Sequence, residues 1–219
     1  MFELETQLQI TSSSYPIYVD GKKLEGELVV PETATQLVIF SHGSGSSRLS
    51  KRNLYVAEQL QKNNIATYLF DLLSVHEDAF IANRFNINLL TERLVDVIEH
   101  FKKADETKNL KIGLFGASTG AASALRAAEK FPNDIKAIVL RGGRTDLAVD
   151  SAKKITIPTL FIIGELDHDV LFMNKRVFEQ MNCKRRLEII PEASHLFEEK
   201  GALEEVSFLA TNWFNKYLI

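Results

Sequence analysis

Apolar and polar residues alternate over Leu4–Ile10, Ile17–Val19 and Leu24–Val30, which predicts half-exposed antiparallel strands at the start of the chain. The pattern then changes. Gln36–Ser41, Ile65–Phe70, Leu110–Phe115, Ile135–Leu140, Pro158–Ile163 and Leu187–Ile190 are short apolar runs, as expected of strands covered on both faces. Helical spacing fills the gaps. Val56 and Leu60 mark one short helix. Leu90, Leu94, Val97, Ile98 and Phe101 form a second stripe, and an alanine-rich helix over Ala121–Lys130 stops before Pro132. Val170–Met181 and the stripe Leu203, Val206, Ala210, Trp213, Tyr217 give two more. These stripes, Trp213 included, are expected to pack on the sheet as core. Strands that alternate with helices predict an α/β fold: a mostly parallel central sheet, helices on both faces, antiparallel strands at the N-terminal end.

Composition narrows the function without naming it. At 219 residues, 45% hydrophobic and 25% charged, the chain is expected to form a single domain over 1–219. A net charge of −3 offers no basic field for nucleic acid. No apolar run approaches the roughly 20 residues that span a bilayer, and the acidic start Met1–Glu5 lacks the features of a signal peptide. Cys183 is the only cysteine, so no internal disulfide can form, which fits a reducing, cytoplasmic setting. It is expected to be structural. Assembly into a homo-oligomer is compatible with all of this.

Ligands in parallel α/β sheets bind beyond the carboxyl ends of the strands, so functional residues should follow strands directly. Four groups do. Gly116-Ala117-Ser118-Thr119-Gly120 lies between an apolar strand and a helix, the setting of a nucleophile elbow. His42-Gly43-Ser44-Gly45 follows Ser41, Asp167 follows the run ending at Ile163, and His195 follows Ile190 by a short loop. A serine hydroxyl needs a base to attack at neutral pH, histidine suits that task, and a carboxylate fixes the histidine tautomer. Ser118, Asp167 and His195 supply these three types, in the chain order Ser, Asp, His. Asp169 and Asp146 compete with Asp167, but Asp169 fits the start of the next helix better. His76, His100 and His168 have no partner pattern and are expected in solvated positions. No metal and no cofactor are implied.

With these residues the chain resembles an α/β-hydrolase of the dienelactone hydrolase-like group, from about Val38 to the C-terminus. His42–Ser47 resembles the oxyanion loop, Gly164–Val170 the segment that carries the acid, and Ala193–Phe197 the segment that carries the base. Dienelactone hydrolases usually hold cysteine at the elbow. Ser118 stands there instead, which favours ordinary ester or thioester cleavage. The resemblance implies an α/β-hydrolase fold with no large cap domain. It also implies a Ser118–His195–Asp167 triad acting through an acyl-enzyme on a small acyl substrate.

Two backbone donors should hold the oxyanion: Thr119, through its N–H and not its hydroxyl, and Ser44 in the glycine loop. His42 is expected to support that loop or contact substrate. Arg141 follows a strand and could clamp a substrate carboxylate or phosphate, whereas Arg48 and Arg52 fit surface charge and helix-end pairing better. Asp71–Asn86 has no clean period and is a candidate lid or pocket wall. A non-catalytic binding protein that reuses the fold, an acyltransferase and a peptidase are the alternatives.

Overall fold

The structure, a computed structural model, describes residues 10–219. Its strands in chain order are β1 (Ile10–Ser14), β2 (Ile17–Val19), β3 (Lys22–Leu24), β4 (Gly26–Pro31), β5 (Gln36–Ser41), β6 (Ala66–Phe70), β7 (Lys111–Ala117), β8 (Ile135–Arg141), β9 (Thr159–Gly164) and β10 (Arg185–Ile190). The helices are α1 (Lys51–Lys62), α2 (Val75–Asp78), α3 (Ile87–Phe101), α4 (Thr119–Lys130), α5 (Val149–Ala152), α6 (His168–Gln180) and α7 (Ala202–Tyr217).

Eight strands form one sheet in the order β1-β4-β6-β5-β7-β8-β9-β10. β6, β5, β7, β8, β9 and β10 run parallel to one another, while β4 pairs antiparallel with both β6 and the edge strand β1. Strand alternation sends successive residues to different helices. Leu37 and Ile39 of β5 face the layer of α3 and α4, with Leu94, Val97 and Leu125. Val38 and Phe40 face the layer of α1 and α7, with Val56, Leu60 and Val206. Each fully buried Leu, Ile or Phe contributes about 1.5–3 kcal/mol relative to exposure, so both layers are needed. Among the described residues no large cap covers the sheet.

The strand order places the site. The chain leaves β5 for β6 on one side and returns to β7 on the other. The connections after β5 and β7 therefore diverge, α1 to one face and α4 to the opposite face. Such a point opens a crevice at the carboxyl ends of the strands. Ser41 and Ala117, the last residues of β5 and β7, stand at its floor.

The structure revises two sequence expectations, and a third falls almost wholly outside it. The strand expected at Leu4–Ile10 lies outside the described residues except for Ile10, which opens β1. Leu24–Val30 is two strands. Leu24 closes a β2–β3 hairpin whose Asp20-Gly21 turn has φ of 48° and 72°, the two left-handed residues of a type I′ turn. β10 is not covered on both faces: it is an edge strand, and Ile189 is exposed.

Asp71–Asn86, which has no clean period, is organised by charge. Ser74 and Glu77 form a capping box on α2. Glu77 also accepts from the buried Arg93 of α3 at 2.8 Å. Burial pushes the Glu77 carboxyl up, but hydrogen bonds from Ser74 and the Arg93 guanidinium outweigh it and hold the pKa at about 2. A carboxyl depressed in the folded state stabilises fully above its unfolded value, roughly 4.3, and this is lost as pH falls toward 2. Glu77→Gln is expected to cost roughly 3 kcal/mol at pH 7 in a urea titration, because it leaves the buried Arg93 with only the exposed Asp20, at 3.5 Å, as its acid. The gap between mutant and wild type should shrink on acidification below pH 4.5.

Candidate active site

The tight turn after β7 has a clear steric cause. Ser118 sits at φ 51°, ψ −121°, a left-handed region that costs on the order of 1–3 kcal/mol for a non-glycine residue. Hydrogen bonds hold it there. Ser118 N donates to the Arg141 carbonyl at 3.1 Å, and its carbonyl accepts from Arg144 N at 2.9 Å and Ala121 N at 3.1 Å. The flanking glycines are required by contact. A Cβ on Gly116 would lie 2.6 Å from Ala121 Cα, and one on Gly120 would lie 2.1 Å from the Ser41 carbonyl oxygen.

The loop after β5 passes directly over the serine. A Cβ on Gly43 would meet Ser118 Cβ at 2.9 Å. Ser44 N donates to Thr119 Oγ1 at 2.7 Å, so the hydroxyl of Thr119 ties the glycine loop to the start of α4. The Thr119 N–H is the first of its helix and has no acceptor within it. Both expected oxyanion donors thus stand beside Ser118, one of them engaged by the other residue's side chain.

His195 and Asp167 meet across two loops. His195 Nδ1 donates to Asp167 Oδ2 at 2.6 Å. This bond puts the proton on Nδ1 and leaves Nε2 as the basic nitrogen. Asp167 occupies the N-cap of α6, yet its side chain makes no cap hydrogen bond. It serves His195 instead, while Asp169 lies in the first turn as expected. Asp146 is taken up by Arg144 through two bonds of 2.9 Å. The loops are stitched together: Leu166 N donates to the Ala193 carbonyl at 2.9 Å and Ser194 N to Glu199 at 3.0 Å. The Ser194 bond and neighbouring backbone donors lower the Glu199 carboxyl pKa.

Ser118 and His195 line one cavity of about 220 Å³, together with Gly43, Ser44, Arg52 and Arg141. Larger hollows of about 460 Å³ beside Arg126 and about 330 Å³ beside Trp213 lie elsewhere, and neither is lined by a histidine. Among the described residues no group of three His, Cys, Asp or Glu could hold a metal ion. No helix among them is long and apolar enough to cross a membrane.

Other expected residues have definite places. His42 is buried beneath the glycine loop and is not among the cavity residues. Its Nδ1 donates to the Gly43 carbonyl at 2.9 Å and its Nε2 accepts from Leu72 N at 3.1 Å. Both nitrogens are occupied by backbone, so the ring buttresses the loop. Burial lowers its pKa, which favours this neutral form. Asp71–Asn86 supplies that Leu72 contact and holds Arg48 through Asp71, but none of its residues lines the cavity. Arg48 is paired as expected. Arg52 is not merely surface charge, because it faces the cavity as well as Glu198. His100 is not simply solvated: it bonds Tyr15 Oη at 3.0 Å, and burial lowers its pKa. Cys183 is half-buried, and burial raises its thiol pKa.

Comparisons with known proteins agree with this architecture. Residues 32–148 match the family model described as serine aminopeptidase, S33. A solved dienelactone hydrolase from Anabaena variabilis is 46% identical, with TM-score 0.93, covering 96% of this chain and all of that one. Est1E from Butyrivibrio proteoclasticus is 19% identical with TM-score 0.81 over 93% of this chain and 98% of its own, a likeness of fold. Two Mycobacterium tuberculosis proteins, provisionally named phosphoribosyl transferases, are 44% identical over 214 residues. That match covers 98% of this chain but 47% of theirs, so the chain spans about half the length of these curated relatives.

Proposed function

We propose, for a chain that belongs to the dienelactone hydrolase-like α/β hydrolases, a serine hydrolase that cleaves the carboxylic ester or thioester of a small substrate. The observation that carries this reading is the 2.6 Å bond from His195 Nδ1 to Asp167, beside a serine held in strained backbone in the same cavity. Ser118 Oγ attacks the carbonyl while His195 Nε2 takes its proton. Asp167 stabilises the imidazolium that forms. Negative charge on the carbonyl oxygen is received by the Thr119 N–H and by the Ser44 N–H, which gives up Thr119 Oγ1 as its acceptor. Each such donor is worth about 3 kcal/mol in the barrier. His195 returns the proton to the departing alcohol or thiol. It then activates water to release the acyl-enzyme.

The matched family model favours one second reading, a peptidase with the same triad. The transferase name belongs to proteins of which this chain covers 47%, and the acyl-transfer geometry around Ser118 lends it no support. A panel of p-nitrophenyl acetate, p-nitrophenyl butyrate, a short acyl thioester and an aminoacyl p-nitroanilide separates the readings. Wild type is expected to turn over the short esters, and Ser118→Ala to lose at least about 10⁴-fold in kcat. Preference for the anilide would select the peptidase. Folded wild type with no turnover on any of the four would favour a binding protein.

A further inference from the structure

Arg141 is buried without an acid. The last residue of β8 is only 7% exposed, yet its guanidinium donates to a neutral acceptor, Asn53 Oδ1, at 3.2 Å. Its Nε is buried with no hydrogen-bond partner. Phe197 lies 5.7 Å from the guanidinium and provides a ring face, not a counter-charge. The other cation nearby is Arg52, and burial together with that repulsion lowers the Arg141 pKa to about 10. Arg48, Arg84, Arg93 and Arg144 all meet carboxylates. A buried, unpaired cation is costly unless something compensates it.

The direction in which Arg141 is open is toward Ser118. Both line the cavity, with Arg52, Asn53, Ser46 and Ser50. Arg52 has its own orphaned buried Nε and a single acid, the exposed Glu198 at 3.3 Å. Ser50 caps the twelve-residue α1, whose positive end therefore opens into the same space. Two guanidiniums, serine hydroxyls and a helix N-terminus offer more donors than a carboxylate can accept. A phosphate monoester, with three terminal oxygens and close to two charges, matches them.

We propose that Arg141, Arg52 and the start of α1 form a subsite for a phosphate monoester group carried by the substrate whose acyl bond Ser118 attacks. This rests on the hydrolase reading, but the binding it predicts does not require turnover. The phosphate is held and not cleaved. It anchors the substrate while its acyl carbonyl lies at Ser118.

Titration calorimetry of Ser118→Ala with inorganic phosphate, and with acetate at equal ionic strength, tests the subsite apart from catalysis. Phosphate is expected to bind and acetate to bind at least about 10-fold more weakly. Arg141→Gln and Arg52→Gln, each in the Ser118→Ala background, should weaken phosphate about 10- to 100-fold, as loss of a charged hydrogen-bond partner does. In wild type, phosphate should raise KM for p-nitrophenyl acetate without lowering kcat. Arg52 lies on the outer helix, so Arg52→Gln decides the matter if Arg141→Gln does not fold. Equal binding of acetate and phosphate, or phosphate binding unchanged by Arg52→Gln, overturns the proposal. Phosphate binding lost in the variants, in a protein that hydrolyses no ester, would uphold the subsite while removing the hydrolase reading.

Discussion

Asp167→Asn is expected to lower kcat on a short-chain ester by about 10⁴-fold while leaving the fold intact. The amide has the shape of the carboxylate but can present a donor to His195 Nδ1. The ring then turns to the tautomer with its proton on Nε2, where it cannot accept the proton of Ser118. Asp167 contributes no cap hydrogen bond to α6, so the substitution removes nothing from that helix. Thermal unfolding should shift by only a few degrees, while kcat collapses. A loss of kcat below about 10-fold would mean that His195 draws its tautomer from elsewhere.

Gly120→Ala is expected to destabilise the protein by more than about 4 kcal/mol, against the ordinary helix preference. In an exposed helix the same change would stabilise by roughly 1 kcal/mol. Here the added methyl would lie 2.1 Å from the Ser41 carbonyl oxygen and 2.6 Å from that of His42. Both contacts are backbone atoms at the end of β5 and cannot rotate away. Relief requires α4 to move off the sheet, which carries Ser118 and the Thr119 N–H with it. A fall in melting temperature of at least about 10 °C in a calorimetric scan is the expected reading. An unchanged melting temperature would show that the elbow is looser than these contacts imply.

Much of this was legible in the chain because the strands are apolar on both faces. Unbroken runs such as Val38–Phe40 and Leu114–Phe115 mark central strands, and residues just beyond them fall at one sheet edge. That rule points to Ser118, Asp167 and His195. The unbroken apolar run fails as a mark where the strand is not central, although the residues after it still fall at the same sheet edge. β10 carries Arg185, Arg186 and Glu188 because an edge strand needs covering on fewer sides. The Asp20-Gly21 turn carried its own signal, a two-residue Asp-Gly between short strands. The cavity arginines were harder. Arg141 stands at a strand end, but Arg52 is the second residue of α1, beyond the β5 loop, and only the fold brings it to the cavity that Ser118 lines. The Thr119 hydroxyl gives no sequence signal, since its partner is a backbone N–H 75 residues away.

The central claim is that Ser118 is the nucleophile, activated by His195. Intact-mass analysis after reaction with a fluorophosphonate tests it most directly, because the reagent phosphonylates an activated serine whatever the natural substrate is. One adduct is expected on wild type, mapped by peptide sequencing to Ser118, with none on Ser118→Ala. Equal labelling of wild type and Ser118→Ala would contradict the claim.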